Sequence, residues 1–468
     1  MSSSSSTVES PFRPAAVTST RFAVGSLMVL VLVNIINFYD RQVPGALAEP
    51  IRKEFGLSDS QLGLLGSAFT WLYAVVGLPL GLAADRYSRK WLLAAGVTVW
   101  GALTGCAAWA RSLPLLVVSR LGVAVGEAAC APAATSWIGD LFPAEKRSRP
   151  LALFMLGVPI GGALSFFLSG PIALAHGWRT AMVMAAAPAL VIVPVLLLLR
   201  EPQRGASERQ STERQTSERQ TPEHKTLEYK AVTTAPATGS IWQVLRIPTF
   251  LWIIASGALV NFNLYAIGTF LPAFFGRIHH MNVGRAGIVT GIVYGVGGIS
   301  GGLFAGYLGD SIARRQPHGR MRAAAVASLC AVPLAYFGVQ QSYGSLAMAI
   351  PLLTVAYGLL NMYYGLVYAS IQDIVAPALR GTSMSIYFLV MYMGGASFGP
   401  ILTGQLSDRM AHRAAAAAGS LQITEAFRAI GLQQAMLVIP VLSLGLALVL
   451  WMGSKTIARD MLNHGGTA

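Results

Sequence analysis

Residues 81–90 read GLAADRYSRK, and residues 306–315 read GYLGDSIARR. Each stretch has a Gly, an Asp four residues on, and a basic pair four and five residues beyond that Asp: Gly81, Asp85, Arg89 and Lys90, then Gly306, Asp310, Arg314 and Arg315. Both follow a long apolar run and precede another, so each marks a helix leaving an apolar phase into a short basic loop. A second echo pairs GDLFPAEKR (139–147) with QDIVAPALR (372–380), aligning Asp140 with Asp373 and Arg147 with Arg380. Two signatures repeated in the same order identify a duplicated unit, an organisation common among membrane carriers.

Composition sets the phase in which that unit lives. Of 468 residues, 54% are hydrophobic and 12% charged, and the mean hydropathy is +0.56. A soluble globule carries about twice that charge. Apolar runs lie at 21–48, 60–84, 91–110, 113–140, 149–173, 180–199, 249–275, 284–309, 322–340, 344–373, 381–405 and 430–453. About 20 residues of helix cross a ~30 Å hydrocarbon core, so the sequence predicts an all-α membrane protein of twelve spans in two six-helix bundles. Residues 21–199 form the first bundle and 249–453 the second. The tail 1–20 and the interval 200–248, with its near-repeat SERQSTERQTSERQTPEHK (207–225), have no apolar face and read as disordered. Residues 454–468 read as a tail.

The net charge of +14 could suggest nucleic acid. Most Lys and Arg, however, lie on loops of the side that holds both termini, even with the central interval left out. That is an orientation signal, placing both termini in the cytoplasm; no nucleic-acid partner is expected. Cys106, Cys130 and Cys330 fall inside apolar runs and form no disulfide or metal framework. The seven His lie in loops or ends, His279 and His280 reading as a solvated pair, and no nucleophile elbow, P-loop or metal-ligand spacing is present. No enzyme activity, cofactor or metal is expected.

Few charges fall inside the spans, and those are functional candidates because burying them in lipid is costly. NFYDRQ (37–42) sets Asp40 and Arg41 in the first span beside Asn37. Arg120 and Glu127 lie in the fourth, two helical turns apart and on one face. Two acids and two bases can therefore share one interior site. Three readings compete: a static ion-pair network, a proton site at Asp40 or Glu127, and an Arg freed to bind an anionic group. The second half offers polar and aromatic groups instead, among them Asn261, Tyr265, Asn361, Tyr364 and Tyr387. A cavity charged on one wall and greasy on the other suits an amphiphile.

The loop signature resembles that of the major facilitator superfamily. The resemblance implies two bundles rocking about a central cavity and a conformational latch at Gly81, Asp85, Arg86, Arg89 and Asp140, with a weaker copy at Asp310 and Arg314. Ser88 stands where that family commonly has Gly. Longer strings are similar to its Spinster branch: NFYDRQ, FGLSDSQLGLLGSAFTWLYAVVGLPLGLAADRYSRK (55–90), RLGVAVGEAACAPAATSWIGDLFPAEKRSRPLALFMLGVPIGGALSF (120–166) and RGTSMSIYFLVMYMGGASFGPILTGQLSD (380–408). This likeness implies alternating-access, proton-coupled transport of a lysophospholipid or sphingolipid, with Asp40 and Glu127 as proton sites and Arg41 and Arg120 as their partners or as substrate ligands. An anion:proton symporter for sugar acids or other carboxylates shares the Asp-Arg and Gly-Glu pairs, and a proton-driven multidrug exporter is a third reading. Expected partners are a small-molecule or lipid substrate, protons and membrane lipids. The expected form is a monomer, in the inner membrane if the source is bacterial.

Overall fold

The computed structural model describes residues 20–143, 146–204, 241–313, 316, 318–342, 344–375 and 379–464. Among the described residues, twelve helices are long and apolar enough to cross a membrane: α1 Arg21–Ala46, α2 Asp59–Arg86, α3 Arg89–Trp109, α4 Leu113–Leu141, α5 Arg149–His176, α6 Trp178–Leu198, α7 Pro248–Ile278, α8 Val283–Gly309, α9 Gly319–Gln340, α10 Leu346–Ile374, α11 Thr382–Ala417 and α12 Glu425–Asn463. The protein is an integral, multi-pass membrane protein with two six-helix halves. An even number of spans returns the chain to one side, so Arg21 and the end of α12 share an end of the bundle, here the terminal end. The opposite end carries the short helix Ala48–Phe55 and the α7–α8 turn.

Local chemistry starts and stops these helices. Ser58 caps α2 in a reciprocal capping box with Gln61, Asn282 accepts the Arg285 N–H at the start of α8 (2.9 Å), and Pro lies in the first turn of α4 (Pro114) and opens α7 (Pro248). Gly177, at φ +84°, makes the tight passage from α5 to α6 that a side chain would strain.

The last two spans outrun their apolar runs. The α11 span continues to Ala417 rather than stopping near 405, and α12 reaches Asn463 rather than 453, so the segment read as a tail begins as helix. Buried Asp460 explains the second extension: its carboxylate accepts the Thr249 N–H (2.9 Å) and hydroxyl (2.7 Å), satisfying the start of α7. Asp460→Ala is expected to cost about 1–2 kcal/mol and lower the melting temperature in detergent, with Asp460→Asn milder.

The interval 200–248 also departs from its reading at its start, while 205–240 lie outside the described residues. Glu201 accepts from Ser88 Oγ (2.5 Å), the Arg89 N–H (3.0 Å) and Arg89 Nε (2.9 Å). Partial burial works against its charge, but these bonds outweigh it and hold its carboxyl below the usual range. Arg204 donates to the carbonyls of Ala84 and Tyr87, both at 2.7 Å, closing the end of α2.

Candidate functional site

The interior charges meet at the middle of the first half. Gly126 lets α4 approach α3, since a Cβ there would lie 2.7 Å from the Gly96 carbonyl oxygen and 2.8 Å from the Trp100 nitrogen. The helix breaks just beyond, between Glu127 and Cys130. Arg41 Nε donates to Glu127 Oε2 at 3.1 Å, with both side chains buried. The Arg41 guanidinium also lies over the rings of Phe38 (4.6 Å), Phe69 (5.3 Å) and Tyr73 (4.4 Å), and Arg120 over Phe69 (4.8 Å).

The four charges are thus unequally partnered. Both Asp40 oxygens, Glu127 Oε1, Arg41 Nη1 and Arg120 Nε are buried without a hydrogen-bond partner among the described residues. Asp40 lies in the field of Arg120 and Glu127 and beside the Trp100 side chain, and neither of its oxygens makes a well-formed hydrogen bond among the described residues. Arg41 reaches back to Asn37 Oδ1 only at 3.5 Å. A narrow cavity of about 40 Å³ runs beside Arg41 and Arg120 along the seam of the halves, walled by Gln42, Thr70, Tyr265 and Thr269.

Across that seam stands an aromatic wall. A π-helical turn, Met391–Ala396, sets Tyr392 against Tyr73 (5.2 Å between ring centroids) and Tyr265 (6.3 Å); such turns recur at functional positions. Tyr364 donates to Asn261 Oδ1 at 2.8 Å. The other polar candidates turn inward: Asn261 Nδ2 donates to the Gly257 carbonyl and Asn361 Nδ2 to that of Tyr357, both at 2.9 Å. Tyr387 is wholly buried and donates to the Tyr363 hydroxyl at 3.1 Å. In this structure it packs within the second half, against Gly257.

The residues expected to form a latch are only partly brought together. Arg89 pairs with Asp140 and, at 2.9 Å, with Glu201, all within the first half. Asp85 and Arg86 are exposed, Arg314 lies outside the described residues, and so does the side chain of Asp310. The counterpart of the Arg89–Asp140 pair joins Asp373 to Arg320 at 2.6 Å. Arg320 opens α9 as Arg89 opens α3, and the motif spacing, which pointed to Arg314, missed it.

Sequence reasoning also missed a second charge network, where the halves close on each other at the end remote from the termini. Arg277 of α7 grips Asp59 of α2 with two bonds of 2.8 Å and donates to Glu49 at 2.7 Å. Arg52 bonds Glu425 at 2.6 Å. The Asp408 carboxylate accepts the N–H groups of Asp59 (3.0 Å) and Ser60 (2.9 Å), and Ser407 donates to Asp59 at 2.6 Å. Glycines allow this contact: a Cβ on Gly63 would fall 2.3 Å from the Pro400 carbonyl oxygen, and one on Gly404 2.2 Å from that of Asp59. The signal available was that Glu49, Asp59, Arg277 and Asp408 lie at the edges of apolar runs.

His279 at this end is buried, not solvated, flanked by Phe274 (5.5 Å) and Phe275 (5.8 Å), with neither ring nitrogen hydrogen-bonded among the described residues; of the pair, His280 alone is exposed. Burial, reinforced by His280, pushes its imidazolium below the ordinary range. The stability that neutral His279 permits is therefore full above its unfolded value of about 6.5 and is lost as pH falls below it. Hydrogen exchange of the α7–α8 turn is expected to rise on acidification in the wild type and to lose that pH dependence in His279→Phe.

The comparisons bear on this architecture directly. The family model described as Major Facilitator Superfamily matches residues 30–400. An MFS-type efflux pump of Mycolicibacterium smegmatis is 30% identical over 453 residues, covering 95% of each chain. Human protein spinster homolog 1 is 28% identical over 405 residues, covering 82% of this chain and 72% of that one. A crystal structure of a bacterial homolog of the human lysosomal transporter Spinster, inward-facing and unoccupied, superposes with a TM-score of 0.79 at 26% identity, over 94% of this chain and 99% of that one. A D-xylose-proton symporter shares the fold alone, at 15% identity and a TM-score of 0.68. A duplicated six-helix unit, the paired Asp-Arg loops and matches of this length agree: the chain belongs to the Major Facilitator Superfamily and is Spinster-like.

Proposed function

We propose that this protein is a proton-coupled secondary transporter that works by alternating access on an amphiphilic, anionic or zwitterionic substrate such as a lysophospholipid or sphingolipid. The observation that carries the reading is the unequal partnering of the interior charges. Arg41 holds Glu127, while Asp40 lies beside them with no well-formed hydrogen bond among the described residues. A proton arriving at Glu127 removes the charge that holds Arg41. The guanidinium, still cradled by Phe38, Phe69 and Tyr73, is then free to take a phosphate or carboxylate. Both termini face the cytoplasm in this reading, and the end closed by Arg277 and Asp59 faces out. The domain limits 21–199 and 249–453 then correspond to the two moving bodies.

The second wall favours an amphiphile over a sugar acid. Asn261, Asn361, Tyr363 and Tyr387 bond within their own half, leaving few groups for hydroxyls and a broad aromatic surface for a chain. The test is reconstitution in liposomes with an imposed pH gradient, offering a lysophospholipid, a sugar acid and a lipophilic cation. Gradient-dependent movement of the lysophospholipid is expected. Movement of the sugar acid or the cation alone would transfer the assignment to an organic-anion symporter or a drug exporter.

A further inference from the structure

The α11 span is 36 residues long, roughly 54 Å of helix by its rise against a hydrocarbon core of ~30 Å. Its last turns therefore stand at headgroup level. There Arg409, His412 and Arg413 share one face by their spacing and line a hollow of about 330 Å³ with Gln405, Asp408 and Ser60. Neither arginine forms an ion pair among the described residues. The one carboxylate in the hollow is already engaged: Asp408 accepts two N–H groups at the start of α2 and the Ser60 hydroxyl (2.5 Å). The His412 ring donates through Nδ1 to the Asp408 carbonyl at 2.7 Å, which leaves Nε2 for another partner. Asp408 caps the start of α2, so the positive character of the hollow comes from the exposed Arg409 and Arg413 guanidinium groups, two cations against one engaged carboxylate. A C-terminal helix dipole and snorkelling account for arginines near such a helix end; they do not account for a hollow shared with the start of α2.

We propose that this hollow binds a phosphate group, delivered either by an anionic headgroup or as inorganic phosphate, and that occupancy favours the closed arrangement. Two arginines in reach of one hollow suit phosphate because their forked donors pair with its oxygens. Asp408 is engaged across the seam, by Asp59 and Ser60 of the first half, while Arg409, His412 and Arg413 all belong to α11. Parting the halves releases Asp408 to compete for the arginines, so a phosphate held there stabilises the closed end by linkage. The proposal is independent of what the protein transports.

The experiment compares the full-length wild type with Arg409→Gln/Arg413→Gln, using Arg285→Gln as a control. Melting is followed in detergent against inorganic phosphate, with chloride at matched ionic strength, and in phosphatidylcholine nanodiscs with and without phosphatidylglycerol. Stabilisation by inorganic phosphate, weakened about tenfold in apparent affinity in the double variant and not in the control, supports a site open to soluble phosphate. Stabilisation by phosphatidylglycerol alone, lost in the double variant, supports a headgroup site. An equal response of wild type and double variant, or a wild type that answers chloride as it answers phosphate and ignores phosphatidylglycerol, overturns the proposal. Arg413 is exposed, so Arg413→Gln alone supplies the same comparison should the double variant fold poorly.

Discussion

Glu127→Gln is expected to abolish transport driven by a pH gradient while leaving substrate exchange measurable. The substitution keeps the shape and one acceptor oxygen for Arg41 Nε but cannot change charge with pH. A hydrogen bond to a charged group contributes about 1.5–3 kcal/mol, so exchanging a carboxylate for an amide there alters the hold on Arg41 by roughly tenfold to a hundredfold. Asp40→Asn is expected to act in the same direction with less effect on folding, because neither Asp40 oxygen has a hydrogen bond to lose. The measurement is uptake into proteoliposomes with and without the gradient, alongside counterflow at equal pH. Gradient-driven rates like those of the wild type in both variants would falsify the coupling assignment. A static ion-pair role predicts something different again: loss of counterflow together with driven transport, and a lowered melting temperature.

The sequence revealed these two carboxylates for a physical reason. A charge surrounded by twenty apolar neighbours stands out because lipid offers it no solvation, and the seven-residue interval between Arg120 and Glu127 places them on one face without further information. Helix count and duplication were legible on the same grounds, since hydrocarbon thickness fixes span length and a repeated loop signature fixes the unit. Which cation meets which anion was not legible: Arg41, not Arg120, takes Glu127, a choice between two helices that spacing along one of them does not make. The packing of Tyr387 against Gly257 was not legible either, because spacing alone does not show which side of α11 meets α7. The Arg277 network was hidden more thoroughly. Its bond to Asp59 joins positions 218 residues apart, and charges at the rim of an apolar run look the same whether they face water or bridge two bundles.

That hidden network carries the second large effect. Arg277→Ala is expected to open the end remote from the termini, because the bidentate bond to Asp59 and the bond to Glu49 exist only while the halves are closed there. Removing one member of a buried pair costs about 3–5 kcal/mol, since the abandoned carboxylate stays buried. Once the halves part, water solvates Asp59, and the same substitution costs little in that state. The whole penalty thus falls on one side of the equilibrium, and a shift of about 5.5 kcal/mol suffices to carry a population from 1:99 to 99:1. Arg277→Lys keeps the charge without the fork and is expected to fall between. Spin labels at Lys53 and Gln422, exposed positions flanking the Arg52–Glu425 bridge, report the separation directly. A longer and broader distance distribution is expected in Arg277→Ala, together with slowed transport as return to the closed end becomes limiting. An unchanged distribution with normal transport would show that the bond is ordinary packing, and that the glycine contacts at Gly63 and Gly404 close this end by themselves.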